Sequence, residues 1–284
     1  MVRRMIQKWS AAGILCALVV ILCLSSASAL SEDDPAGNVP RALSGGDAAL
    51  SDETSLGRAV ADALVYASGA QIAVVNGGDL GNSLGAGVQT RGAVRAALSQ
   101  DREIAVAQVT PKMLRAILEV GVSHIIVNRD NSVLEHDQSQ FDGFPQVSGF
   151  WFQYDASAPV GERVMRMEIE GVGAVDLEDD TTQFAMAAAA YMLSGGYGYP
   201  QAEDVTALDM TLSDALIRYI TSGQGAGMGT GSNMSVAGSR DDSIISIVPS
   251  WLLPAVVVIF AVGGIMRSVR KSRVEGKHRD RYDL

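Results

Sequence analysis

Cysteine and histidine are nearly missing from this chain, and basic residues are scarce over most of it. Among 284 residues there are two cysteines and three histidines. Both cysteines, Cys16 and Cys23, fall inside an apolar run near the N-terminus. Beyond that run there is no thiol, which excludes disulfides, a thiol nucleophile and cysteine metal ligands. His278 lies in the C-terminal tail, so His124 and His136 are the imidazoles left for the body. A two-metal phosphoesterase centre needs several His, Asp and Asn ligands, and this inventory cannot supply it. His124, in "HIIV", sits at the edge of an apolar strand, where packing suits it better than ligation. His136, in "LEHDQ", lies between Glu135 and Asp137, and such sequence neighbours seldom converge on one ion. The expectation is no metal, no cofactor and no catalytic residue. Residues 31–243 carry 12 Lys and Arg against 29 Asp and Glu, a formal net of −17. Long-range repulsion from that charge opposes nucleic acid as a partner.

What the chain does have at its ends is membrane chemistry. A basic start, "MVRRMIQKW", leads into apolar residues 11–24 and then "SSASA", with Ala27 and Ala29 in A-x-A spacing. This reads as a secretory signal peptide over residues 1–29. Residues 244–266, "IISIVPSWLLPAVVVIFAVGGIM", contain no charge and are long enough to span a bilayer. Trp251 stands where an interfacial anchor belongs, and Arg267, Arg270, Lys271 and Arg273 follow at once. The expectation is a single-pass protein of the cell membrane, its body outside and a basic tail, residues 267–284, in the cytoplasm.

Between the ends, residues 30–50 are polar with Pro and Gly and read as a flexible leader. Residues 221–243, rich in Gly and Ser, read as a linker to the membrane helix. Residues 51–220 form one domain long enough for a core. "ETSLGRAVADALVYASG" places Leu56, Val60, Ala63 and Leu64 on one helix face. "TPKMLRAILEVG" has Thr110 as cap and Pro111 at the first helical position, with Met113, Ile117 and Leu118 inward. "QIAVVN", "REIAVAQV", "QVSGFWFQYD", "ERVMRMEIEG" and "TQFAMAAAAY" read as strands. "TRGAVRAAL" and "TLSDALIRYI" read as helices, and residues 128–142 as a polar loop. Helices and strands alternate early and strands dominate late, which predicts a mixed α/β (α+β) fold. "GNSLG" matches G-x-S-x-G, but a glycine-dense loop separates it from the strand and no helix follows Ser83. A nucleophile elbow needs a strand running straight into a helix, so the match is taken as chance.

The stretches "ETSLGRAVADAL", "VVNGG", "FPQVSGFWFQYD", "GERVMRMEIEG" and "YMLSGGYGYP" occur in an order and spacing that resembles the C-terminal domain of the 5'-nucleotidase family. The counterparts there read approximately E-x-N-x-G-N-L-x-x-D-A, N-G-G-G-I-R, F-x-Q-[VF]-[SG]-G, G-x-R-V and N-F-x-x-x-G-G-D-G-[YF]. The resemblance implies that fold, with the transmembrane helix added behind it. In the family an N-terminal metallophosphatase domain hydrolyses, and the C-terminal domain supplies specificity. There two aromatic rings sandwich the base, an Asp and an Asn bond the nucleoside, and arginines hold the phosphate.

Carried onto this chain, the resemblance gives a degenerate nucleoside pocket. Asn76 keeps the Asn that opens N-G-G. Gly81 stands where the family has a phosphate-binding Arg, and the Arg expected before the first motif is replaced by "LSDE". Leu98, Ser99, Gln100, Asp101 and Arg102 replace L-P-F-G-N, so Gln100 replaces one stacking ring. Tyr191 keeps the other ring, and Tyr197 takes the place of the Asp in G-G-D-G. The expectation is a domain inactive alone that binds a planar, nucleoside-like small molecule or a protein. A separate metallophosphatase is the partner that would complete an enzyme.

Overall fold

The computed structural model describes residues 31–127, 134–136 and 141–237. The expected signal peptide, membrane helix and basic tail lie outside the described residues. Within them, no helix is long and apolar enough to cross a membrane. In chain order the first half holds β1 (Pro35–Val39), α1 (Ser55–Ser68), β2 (Ile72–Asn76), β3 (Gly87–Thr90), α2 (Arg91–Ala96), β4 (Glu103–Val109) and α3 (Pro111–Val122). Then come β5 (Ile125–Val127), β6 (Leu134–His136), β7 (Pro145–Ser148), β8 (Phe150–Tyr154), β9 (Val164–Ile169) and β10 (Gly173–Ala174). The rest is β11 (Phe184–Ala189), α4 (Ala190–Leu193), β12 (Thr206–Thr211), α5 (Leu212–Thr221) and β13 (Met234–Val236).

A five-stranded sheet, in the order β12-β4-β11-β2-β7, divides the interior. Only the β11–β2 pair is parallel within it. Alternation of side chains across the pleat splits each central strand between two cores. Ile72 and Val74 face one core with Met186 and Ala188, while Ala73, Val75 and Ala187 face the other. The first core is closed by α3 and by a second sheet, β10-β9-β8-β13, through Leu114, Ile117, Phe152, Tyr154 and Met167. The second is closed by α1 and α5, through Val60, Leu64, Leu216 and Ile220.

Local chemistry starts and stops these helices, at Thr110 and Pro111 as the sequence predicts. The Thr54 hydroxyl accepts from the Gly57 amide at 3.1 Å, and Gly69 ends α1 in the left-handed region at φ 71°. Thr110 accepts from the Met113 amide, with Pro111 opening α3. Pro111 and Leu114 are the buried residues of that first turn, and Met113 is only half-buried. Thr211 and Asp214 cap α5 reciprocally. The stretch read as one strand, "QVSGFWFQYD", is two. Gly149, at φ 80°, turns the chain from the central sheet into the second, and a Cβ there would stand 2.1 Å from the Gln71 carbonyl oxygen.

Two motifs form one packing unit. Gln146 is fully buried, and its amide accepts from the Thr54 N–H at 2.9 Å and donates to the Ala49 and Asp52 carbonyls at 3.2 and 2.8 Å. A Cβ on Gly57 would fall 2.1 Å from Gln146 Oε1, so the helix must carry glycine where the glutamine crosses it.

The leader and the linker need correction. Residues 30–50 are not a coreless leader from Pro35 onward: β1 pairs with β3, and Ala36, Val39, Leu43 and Ala49 are buried in the second core. The linker, residues 221–243, is likewise fastened to the body before residue 238. Met228 is fully buried, and β13 pairs in parallel with β8. The Glu53 carboxylate accepts from the Asn233 amide at 2.9 Å and the Ser232 hydroxyl at 2.6 Å. Both segments look polar because their apolar residues come only one to three at a time between Gly, Ser, Pro and charged residues. Residues 128–142 are also not wholly a loop, since β6 pairs with β5.

Leu43→Ala should lower unfolding free energy by about 3 kcal/mol, the usual cost of truncating a fully buried leucine. Urea denaturation of the full chain checks this, and a change within error would mean that the segment does not belong to the core.

Candidate functional site

The parallel register that sets Ile72 beside Met186 brings the ends of β2 and β11 to one edge of the central sheet. Asn76 ends β2, and Tyr191 follows β11 in the short helix α4. Asn76 is buried, and its side-chain nitrogen donates to the Tyr191 hydroxyl oxygen. Its Oδ1 accepts from the Tyr199 hydroxyl at 2.8 Å, and the Gly143 carbonyl lies 2.9 Å from that same hydroxyl. Burial pushes the phenols of Tyr191 and Tyr199 well above the ordinary tyrosine value, so both stay neutral.

A ladder of rings extends from Tyr191 toward the surface. Tyr197 meets it edge-on, centroids 5.5 Å apart at 87°. Phe141 meets Tyr197 at 6.1 Å, and His124 stacks on Phe141 at 4.4 Å. Tyr197 is 47% exposed and stands in the left-handed region at φ 56°. Asp adopts that conformation more readily than a bulky side chain. A tyrosine here carries a backbone cost of roughly 1 kcal/mol, met by its ring contacts.

On the other side of Tyr191 lies an ion pair between a half-buried arginine and a buried aspartate. The Arg102 guanidinium carbon sits 4.2 Å from the Tyr191 ring centroid, a cation–π contact. Its Nε donates to Asp79 Oδ1 at 2.9 Å. Asp79 is 2% exposed, and its Oδ2 meets no donor among the described residues. Burial pushes the Asp79 carboxyl up to about 6, against the opposing pull of Arg102.

The expected site residues thus divide. Asn76, Tyr191 and Tyr197 come together. Gly81 serves the backbone: its N–H donates to the Ala97 carbonyl at 2.9 Å, and its own carbonyl accepts from the Gly46 N–H at 2.6 Å. Gln100 has an exposed side chain, and its amide approaches the Asp79 carbonyl oxygen at 3.4 Å. Sequence reasoning missed Asp79, Arg102 and Phe141. A signal for the first two was present. Asp79 stands at the third glycine of N-G-G-G, and Arg102 at the last residue of L-P-F-G-N, so the two motifs gain opposite charges together. Two surface clefts lie elsewhere. One of about 620 Å³ is bordered by Asp62, Trp151 and Glu170. The other, of about 380 Å³, is bordered by Tyr66, Arg91 and Arg218. Among the described residues no three His, Cys, Asp or Glu side chains are grouped as ligands for a metal ion.

A mixed sheet between two cores, with a ring-lined site where β2 and β11 end, defines a mixed α/β domain. A family model, 5'-nucleotidase, C-terminal domain, matches residues 35–204, and the chain belongs to that family. Among curated proteins it is 29% identical over 153 residues to the trifunctional nucleotide phosphoesterase protein YfkN of Bacillus subtilis (strain 168), a match covering 52% of this chain and 10% of that protein. Among solved structures it resembles the 5'-nucleotidase precursor from Thermus thermophilus, with TM-score 0.61 and 23% identity over 82% of this chain and 44% of that one. It also resembles a putative 5'-nucleotidase from Staphylococcus aureus, with TM-score 0.59 and 18% identity over 72% of this chain and 41% of that one. At these identities the structural likeness speaks for the fold. The chain spans about a tenth of that curated relative and less than half of each solved one.

The raised Asp79 carboxyl sets a pH dependence. A carboxyl whose folded value exceeds its unfolded one costs stability when charged, and that cost disappears as pH falls from about 6 toward 4. Burial raises Glu53 and Asp62 as well, so they act with the same sign. The melting temperature should therefore rise as pH falls from about 7.5 to 5. Asp79→Asn should lose part of this rise, the wild type gaining on the variant in the acidic half of the range. Parallel curves for the two proteins would show that Asp79 has no raised value.

Proposed function

We propose that this domain is a membrane-held, extracytoplasmic interaction module with no phosphoesterase chemistry of its own. One observation carries the reading: Asn76, the position that resembles a nucleoside-binding Asn, already has its amide engaged by Tyr191 and Tyr199. A nucleoside entering here would have to break those buried bonds, each worth about 1 kcal/mol net and more when left unmade. It would also have to displace Arg102 from the face of Tyr191. The two positions that would hold phosphate in the resemblance carry no guanidinium. The uncharged run 244–266 and the arginines behind it support the membrane attachment.

A second reading keeps the ancestral role, with this chain as the specificity part of a split surface nucleotidase completed by a separate metallophosphatase. The favouring observation is that a curated relative carrying a matching segment is named a nucleotide phosphoesterase. A surface protein with no ligand is the remaining outcome of the test.

Isothermal titration of the full chain in nonionic detergent with adenosine and AMP decides between them. We expect no saturable heat with adenosine up to millimolar concentration, and with AMP no binding that depends on Tyr191 and no hydrolysis with added divalent cations. Binding that Tyr191→Ala abolishes would overturn the interaction reading in favour of a retained pocket. AMP hydrolysis stopped by a chelator would overturn the absence of phosphoesterase chemistry.

A further inference from the structure

The distribution of basic side chains points to a second site. Among the ten described lysines and arginines, six hold carboxylates: Arg58, Arg95, Arg102, Lys112, Arg115 and Arg166. Arg163 is inserted among the carbonyls of Val122, Ser123 and Ile125. Arg41, Arg91 and Arg218 have no carboxylate partner among the described residues. Two of those three border the same cleft, of about 380 Å³, at the C-terminal end of α5. In a body with net charge −17, where acids outnumber bases more than twofold, guanidiniums that stay unpaired and adjoin one cavity need a reason.

The rest of the lining suits an anion. Tyr66 contributes a 43% exposed ring, held at 5.4 Å by Tyr219 beneath it. Ile217 is buried at the base. Asp214 is the single carboxylate of the lining, and it is committed elsewhere. Its Oδ1 accepts from Arg95 at 3.0 Å, and its Oδ2 accepts from the Thr211 hydroxyl at 3.1 Å. The hydroxyls of Thr221 and Ser222 donate to the Ala36 and Tyr219 carbonyls, both at 2.7 Å. The polar groups left unspent among the described residues are therefore the Tyr66 hydroxyl and the two guanidiniums, and guanidiniums bind multi-oxygen anions through paired N–H donors. The overall negative field does not prevent this, since at physiological salt it is screened beyond roughly 8 Å.

We propose that this cleft binds a phosphate ester, with Arg91 and Arg218 holding the oxyanion and Tyr66 covering the attached organic group. The site is separate from the Asn76–Tyr191 cluster and does not depend on the reading given to it.

Titration calorimetry of the full chain in nonionic detergent tests this, with glycerol 3-phosphate in one arm and soluble short-chain phosphatidylglycerol in the other. We expect saturable binding in the roughly millimolar range or tighter in at least one arm. Binding in the first arm alone assigns a soluble phosphomonoester, and in the second alone a lipid headgroup. Arg91→Gln and Arg218→Gln should each weaken it about tenfold, and Arg218→Lys should keep part of it. Arg218 is exposed on its helix, so its variants test the site without threatening the fold. No saturable binding in either arm, or an affinity unchanged by Arg218→Gln, overturns the proposal.

Discussion

The parallel pairing of β2 with β11, buried on both faces, is the constraint on which the rest depends. Parallel strands need a long crossover connection, and here more than a hundred residues separate the partners, Ile72 and Met186. The intervening chain supplies β4 and β7, which flank the pair, and most of the second sheet. Because the two strands run the same way, both finish at one edge of the sheet. Asn76 and Tyr191 meet there through register alone. A one-residue slip would reverse every side chain of β11 between the two cores and break that meeting.

What fills that edge is self-contained chemistry. Asn76, Tyr191 and Tyr199 satisfy one another, and Arg102 covers the face of the Tyr191 ring. The exchange is paired: a glycine becomes Asp79 and an asparagine becomes Arg102, and the new charges neutralise each other across the loop. A lone buried carboxylate would have been far costlier than the pair, since desolvation of an unpartnered charge is the larger penalty. Even paired, Asp79 remains penalised by burial. The site has been refilled rather than emptied, and the glycines of "YMLSGGYGYP" persist for the backbone path. Gly195 and Gly198 have φ of 88° and 82°, and Gly196 leaves room for Tyr191, since a Cβ there would stand 2.5 Å from its ring.

Much of the architecture was legible in the sequence. The helices announced themselves by period, and one of them also by its Thr110 cap and Pro111, while the caps at Thr54 and Thr211 emerged with the structure. The strands were legible as short apolar runs, although "QVSGFWFQYD" concealed a change of sheet at Gly149. The leader and linker misled, because burial of Leu43 and Met228 depends on partners far along the chain. A segment whose apolar residues are few and irregularly spaced among polar ones shows no period of its own.

By itself, the sequence determined the class of fold, the Thr110 cap, the scarcity of imidazole and thiol, and the acidic balance of the body. Those are properties of composition and of residues within a few positions of one another. Only the tertiary structure decided that Asn76 is already bonded, that Arg102 lies over Tyr191, and that Arg91 and Arg218 adjoin one cleft with no carboxylate partner among the described residues. Each of these joins residues tens to more than a hundred positions apart. Whether a polar group is satisfied or available depends on which distant partner the fold delivers to it, and local pattern carries no record of that.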